Sequence, residues 1–347
     1  MAGPLRSPAE TAPPVSSAGS ASLTRYRLRE SHLAGGSQPK LPGCLPPSRI
    51  IRVLRELRTA EPRGATSPPP LDPNPRTAVQ HHLCVACGTQ FAASESPPAG
   101  CPVCLDERQY VAPGGQAWTT LEALRRTHRN AVQRIEPELY GIGTEPRFAI
   151  GQRALLVRTP GGNVLWDCIA LLDGATEAIV RALGGLAAVA ISHPHYYTTM
   201  VEWGRAFGVP VWLHADDREH VVRPDPCLRF WEGETQPVLP EVTLHRLGGH
   251  FAGATIAHWS RGAGALLVGD VVQVLPDRRH LGFMRSYPCL IPLPPARVRR
   301  MAERCGALEF DAIHGAFADR DIMAGGKAAL ARSAERHCAW AGAMQAP

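Results

Sequence analysis

Leu186-Ala187-Ala188-Val189-Ala190-Ile191-Ser192-His193-Pro194-His195-Tyr196-Tyr197-Thr198-Thr199-Met200 is the stretch on which the reading of this chain turns. The apolar run Leu186–Ile191 has the length and composition of a buried strand. His193 and His195 follow at its end, one residue apart. On an extended segment, alternate side chains point the same way, so both imidazoles can reach one ion while Pro194 stiffens the link. Taken alone, the pair fits two solvated loop histidines equally well.

The rest of the chain repeats the pattern. Gly248-Gly249-His250-Phe251-Ala252-Gly253 sets a third histidine in a glycine-flanked loop. Leu266-Leu267-Val268-Gly269-Asp270 ends an apolar strand in a carboxylate. Phe310-Asp311-Ala312-Ile313-His314-Gly315 ends another in a histidine. Each is a short apolar run, then a metal-type ligand, then a turn residue. Together they predict a site built from loops along one edge of a sheet sandwich.

In order and spacing these motifs resemble the metallo-β-lactamase superfamily, over about residues 140–345. Gly249–Gly253 resembles its glycine-histidine loop, Gly269-Asp270 its Gly-Asp, His314 its last histidine, and Asp167 in Asn163-Val164-Leu165-Trp166-Asp167 its early strand aspartate. The resemblance implies an αββα sandwich of α/β class and a metal-dependent hydrolase. It also shows a departure. The family's central motif is His-x-His-x-Asp-His, and here Tyr197 and Thr198 stand at its last two positions. In the family those two residues, with the Gly-Asp carboxylate and the last histidine, hold a second metal. Only Asp270 and His314 remain for it, whereas zinc sites use three or four ligands. One metal is therefore expected, held by His193, His195, His250 and Asp270. Asp270 is either a ligand or the group that positions water. Tyr197 either donates a hydrogen bond to an oxyanion or fills space. His314 either faces the ligands or substrate, or binds a weak second ion.

Upstream, Cys84-Val85-Ala86-Cys87-Gly88 and Cys101-Pro102-Val103-Cys104 form two Cys-x-x-Cys knuckles. Four such thiolates suit a tetrahedral zinc. The spacing resembles a zinc ribbon, and also rubredoxin, although Leu105 replaces the glycine of rubredoxin's second knuckle. So small a unit depends on its metal for stability. Zinc is expected in both sites, with iron the alternative in the sandwich.

The 347 residues carry a net charge of +6. Eleven basic and five acidic residues precede Val79, so the body is neutral. That argues against a nucleic-acid enzyme, which carries a basic face on its folded part. No apolar run approaches a membrane span, and no apolar region marks a secretory signal. Four of the ten cysteines sit in the knuckles and the rest are scattered, which suits a cytoplasmic setting rather than a disulfide framework.

The expected organisation is a disordered Pro/Arg-rich leader at 1–78, with a short helix at 48–59, then the ribbon at 79–112. A linking helix at 113–139, centred on 118–135, leads to the sandwich at 140–347. Asp216 is expected to cap a helix after the strand ending at His214, and Arg285, Ser286 and Tyr287 to wall the pocket. Three functions compete. The first is a hydrolase of small ester, thioester or lactone-like substrates, using metal-activated water. The second is a mononuclear iron oxygenase. The third is a non-catalytic metal protein whose ribbon docks a protein partner.

Overall fold

A computed structural model describes residues 79–343. The expected leader and its helix at 48–59 lie outside the described residues. The ribbon comprises β1 (His82–Cys84), the single turn α1 (Pro102–Leu105) and β2 (Trp118–Thr120), which pairs with β1. Helix α2 (Leu121–Thr127) starts where Thr120 Oγ1 accepts the Ala123 N–H at 3.1 Å.

Here the structure corrects the expected linking helix. It ends at Thr127, and Arg129–Glu136 is instead strand β3, hairpinned to β4 (Leu139–Glu145). Pro137 stands between the two strands and disfavours helix in the residue before it. A ready partner strand then outweighs the helical spacing of Leu121, Leu124, His128 and Val132. The sandwich therefore begins at Arg129.

A seven-stranded sheet runs β3, β4, β5 (Ala154–Thr159), β6 (Gly162–Trp166), β7 (Ala188–Ala190), β8 (Val211–His214), β9 (Leu228–Trp231). It is antiparallel to β6 and parallel beyond. Helices α3 (Gly174–Ala182) and α4 (Met200–Phe207) make the parallel crossovers. The second sheet runs β10 (Thr235–Leu239), β11 (Val242–Arg246), β12 (Thr255–Trp259), β13 (Ala265–Gly269), β18 (Ala312–Gly315), β19 (Asp321–Ile322). Between β13 and β18 lie the short ribbons β14 (Gln273–Val274) with β15 (Leu281–Gly282) and β16 (Met284–Ser286) with β17 (Ile291–Pro292). Helix α5 (Pro295–Gly306) follows them, and α6 (Gly326–Ala343) ends the described chain.

Strand alternation sorts the apolar residues into three layers. Leu155, Val157, Trp166, Leu244, Ala257 and Leu267 meet between the sheets. Leu156, Leu165, Val189 and Leu213 pack outward against Val180, Met200 and Trp203. Ile256, Leu266, Val268 and Ile313 pack against Val298, Met301 and Leu330. The result is an αββα sandwich. No helix among the described residues is long and apolar enough to cross a membrane.

Candidate metal centre

The loop after β7 leaves the extended conformation earlier than expected. Pro194–Tyr196 is a turn of 3-10 helix, closed by the Tyr196 N–H on the His193 carbonyl at 3.0 Å. His193 and His195 converge all the same, with ring centroids 5.1 Å apart. His250 joins them from the loop between β11 and β12, its Nε2 3.3 Å from His195 Nδ1. Gly249 lets that loop pass α5 and the segment leading into it, because it sits at φ +87° where a Cβ would lie 2.8 Å from Leu293 and 3.2 Å from Met301 Sδ. Asp270 follows β13, with Oδ2 3.9 Å from His193 Nε2. One ligand atom from each of these four buried residues lies within 4.8 Å of the others.

Hydrogen bonds fix this cluster from behind. Ser192 Oγ lies 2.8 Å from His193 Nδ1. Asp167 Oδ1 accepts the Ser192 N–H at 2.7 Å, from a backbone at φ +65° that a non-glycine residue adopts at a cost. Gly269 makes room for both, since a Cβ there would lie 2.7 Å from Ser192 Oγ and 3.2 Å from Asp167 Oδ2. Gln152 Nε2 donates to Asp270 Oδ2 at 2.7 Å and Gln273 Nε2 to Oδ1 at 2.9 Å. His250 Nδ1 lies 3.2 Å from the Met284 carbonyl.

The electrostatics suit a cation. Burial, reinforced by His250, holds His193 and His195 well below the usual histidine range. Burial also pushes His250 down to about 4, against its bond to Met284. All three are neutral at pH 7 with lone pairs available. Burial pushes the Asp270 carboxyl up to about 6, opposed by Gln273 and Gln152. His193 Nε2 is buried without a hydrogen-bond partner. A buried polar atom so placed costs free energy unless something binds it. The donor set therefore fits a divalent metal such as zinc or iron.

Two expected site residues stand elsewhere. His314 is fully buried, with Nδ1 2.8 Å from Asp321 and Nε2 3.1 Å from Glu136. Burial lowers its pKa, but the two carboxylates outweigh that and raise it. His314 is neither among the four residues whose ligand atoms converge nor among those lining the cavity at that site. Tyr197 is also buried, and its hydroxyl donates to the Asp217 carbonyl at 3.4 Å. Its ring fills core beside α4, so it is no oxyanion donor. Asp216 caps nothing. The His214 ring accepts the Asp216 N–H at 3.1 Å, and buried Asp217 accepts the Gly253 N–H at 2.7 Å, bracing the His250 loop.

The second cluster is Cys84, Cys87, Cys101 and Cys104, all buried, with one Sγ from each within 4.8 Å of the others. Gln116 ties the knuckles together. Its Nε2 donates to Cys84 Sγ at 3.0 Å and its Oε1 accepts the Cys101 N–H at 3.2 Å.

A cavity of about 510 Å³ opens onto His195, His250 and Asp270. Ribbon residues Ala86, Gln109, Tyr110 and Ala112 form one wall, and Arg147, Ile150, Tyr287 and Phe317 face them. Of the loop residues expected there, Tyr287 lines the cavity. Ser286 is turned to the Arg108 carbonyl at 3.0 Å, and Arg285 pairs with Glu107. No motif marked Gln152, Gln273, Gln116 or the ribbon wall, because amides and small side chains carry no spacing rule.

A Bacillus subtilis (strain 168) protein, the uncharacterized protein YmaE, is 45% identical over 264 residues, spanning 75% of this chain and 96% of YmaE. This chain belongs to the YmaE family. No family model matches it. Among solved structures it is similar to a B3 metallo-β-lactamase with an active-site glutamic acid. That pair shares 19% identity over 62% of this chain and 92% of the other, with a TM-score of 0.43. It is also similar to the DIM-1 metallo-β-lactamase, at 14% identity, 62% and 99% coverage, and a TM-score of 0.47. In this YmaE relative the metallo-β-lactamase fold rests on its own strand order and on motifs falling at successive strand ends.

Proposed function

We propose that this protein is a single-metal hydrolase of the metallo-β-lactamase type, acting on a small ester, thioester or lactone-like substrate. The observation that carries the reading is the buried convergence of His193, His195, His250 and Asp270, the last three of which line a cavity large enough for a small ligand. These four residues would hold the metal, which supplies Lewis acidity and a bound water of lowered pKa. The chain does the rest. Ser192 and the Met284 carbonyl fix the ring orientations of His193 and His250. Gln152 and Gln273 fix both oxygens of Asp270, leaving its Oδ2 turned toward His193 as the atom that orients or accepts a proton. The ribbon wall and Tyr287 enclose the substrate and exclude bulk water.

With His314 turned to Glu136 and Asp321, no further group of metal-type ligands stands in the sandwich among the described residues. Elemental analysis should give one sandwich metal, retained in His314→Asn and lost in His250→Ala. A turnover screen of esters, thioesters and lactones should give a hit that His250→Ala abolishes. Metal bound at full occupancy without any turnover would favour a non-catalytic protein, and iron with oxygen consumption would favour an oxygenase.

A further inference from the structure

The ribbon and the sandwich meet at Arg108, which follows the second knuckle in sequence. Its Nε donates to the His250 carbonyl at 2.8 Å. Its guanidinium lies 4.2 Å above the centroid of the Phe251 ring, and Nη1 pairs with Asp106 at 2.6 Å. Its own carbonyl accepts Ser286 Oγ, and its side chain is only 12% exposed. Phe251 in turn packs on all three imidazoles, 5.6 Å from His193, 4.9 Å from His195 and 5.2 Å from His250 between centroids. One side chain from the ribbon thus holds both the backbone of a ligand and the ring that packs the ligand set.

We propose that Arg108 is a positioning residue through which the ribbon sets the sandwich metal centre. The proposal rests on the reading that His193, His195, His250 and Asp270 hold a metal. Two effects oppose each other here. A guanidinium beside a cation site repels the cation. It also fixes, by a charge-assisted bond, the backbone of His250 itself, next to glycines at 248 and 249 that both lie at positive φ, whereas Asp217 braces the loop farther on, at Gly253. The repulsion is reduced because Asp106 neutralises the guanidinium at 2.6 Å, whereas the loop has no other side-chain donor to the His250 carbonyl among the described residues. Positioning therefore wins. Loss of such an outer partner typically costs about 10–100-fold in metal affinity.

The test uses the full chain as wild type, Arg108→Gln and Arg108→Lys, with zinc content by elemental analysis and Zn²⁺ affinity by competition with a chromogenic chelator. The glutamine variant should keep the tightly held thiolate zinc and bind the sandwich zinc about 10–100-fold more weakly. Lysine keeps the charge but loses the fork and should fall between the two. Unchanged or tighter sandwich binding in Arg108→Gln would overturn the proposal, as would loss of both zincs together, which would mark collapse of the ribbon. If Arg108→Gln does not yield folded protein, the lysine variant decides, and wild-type affinity there overturns it. A wild type with no sandwich zinc would instead refute the metal centre itself.

Discussion

At the scale of single residues, the site separates groups that look alike in sequence. His193 and His314 both follow apolar runs, yet burial among other imidazoles lowers the pKa of one, while for the other Asp321 and Glu136 outweigh burial and raise it. At His314 the raised pKa predicts a pH signature. Its folded pKa lies above the ordinary 6.5, so its stabilisation is complete below 6.5 and is lost as pH rises through the folded value. Its partners run the opposite way. His314 draws Glu136 below 4.5. For Asp321, burial opposes the shift, but His314 and Arg153 bring it below 3.8. Their contribution is lost as pH falls through those lowered values. His314→Asn should therefore lower the melting temperature most between about pH 4.5 and 6.5, with the gap closing in alkali. The loss should lie near the low end of about 3–5 kcal/mol, since Glu136 is 28% exposed. Melts from pH 4 to 10 check it, and a gap independent of pH would count against the lock. At Asp270, Gln152→Leu removes a buried donor at 2.7 Å. We expect sandwich-zinc affinity to fall about 10–100-fold with the ribbon zinc unchanged, as read by chelator competition.

At the scale of elements, the ribbon decides what the sandwich loop can hold. Restoring the family pattern by Tyr197→Asp with Thr198→His is the obvious route to a second metal. The structure argues against it. Thr198 Cγ2 lies 3.4 Å from where a Gly88 Cβ would stand, and the Thr198 carbonyl accepts the Gln90 N–H at 3.0 Å. A histidine there meets the ribbon, and an aspartate at 197 leaves a void in the core beside α4. The double variant should melt lower, by about 2–5 kcal/mol for the lost aromatic volume, with unchanged sandwich metal content. A gained second equivalent would show that the ribbon yields. Cys84→Ser with Cys101→Ser should remove one metal equivalent and expose residues 80–112 to hydrogen exchange, because the unit's core is mostly its own cysteines. Much of this was legible in the sequence, including the knuckles, the histidine loops and most of the strands. What was not legible has a common cause. Helical spacing at 118–135 competed with a hairpin whose other half lay downstream, and strand-end ligands carry no sign of where their side chains turn. His314 faces Glu136 in β3 and Asp321 in β19 rather than the converging ligands, and no local motif connects it to either acid.

For the whole molecule, the contacts between ribbon and sandwich bear on how much of the chain is needed. Among the described residues lie five hydrophobic clusters, from the cysteine-lined ribbon centre to the layers on either side of the sheets. Both ligand sets and the cavity-lining residues named above are among those residues too. The ribbon is joined to the sandwich by the Gln90 amide on Thr198, by Arg223 on Gln90, and by Arg108 on the His250 loop. Removing the ribbon should then disturb the sandwich centre, whereas removing residues 1–78 should not. We expect a chain beginning at Val79 to match the full chain in melting temperature and to hold two metal equivalents, one per cluster. Calorimetry and elemental analysis on the two proteins decide it. Because 1 kcal/mol shifts the melting point of a domain this size by about 2–4 °C, even one lost contact of ordinary strength would be visible. A drop of that size would assign the first 78 residues a packing role, and loss of one equivalent would place a metal-supporting contact within them.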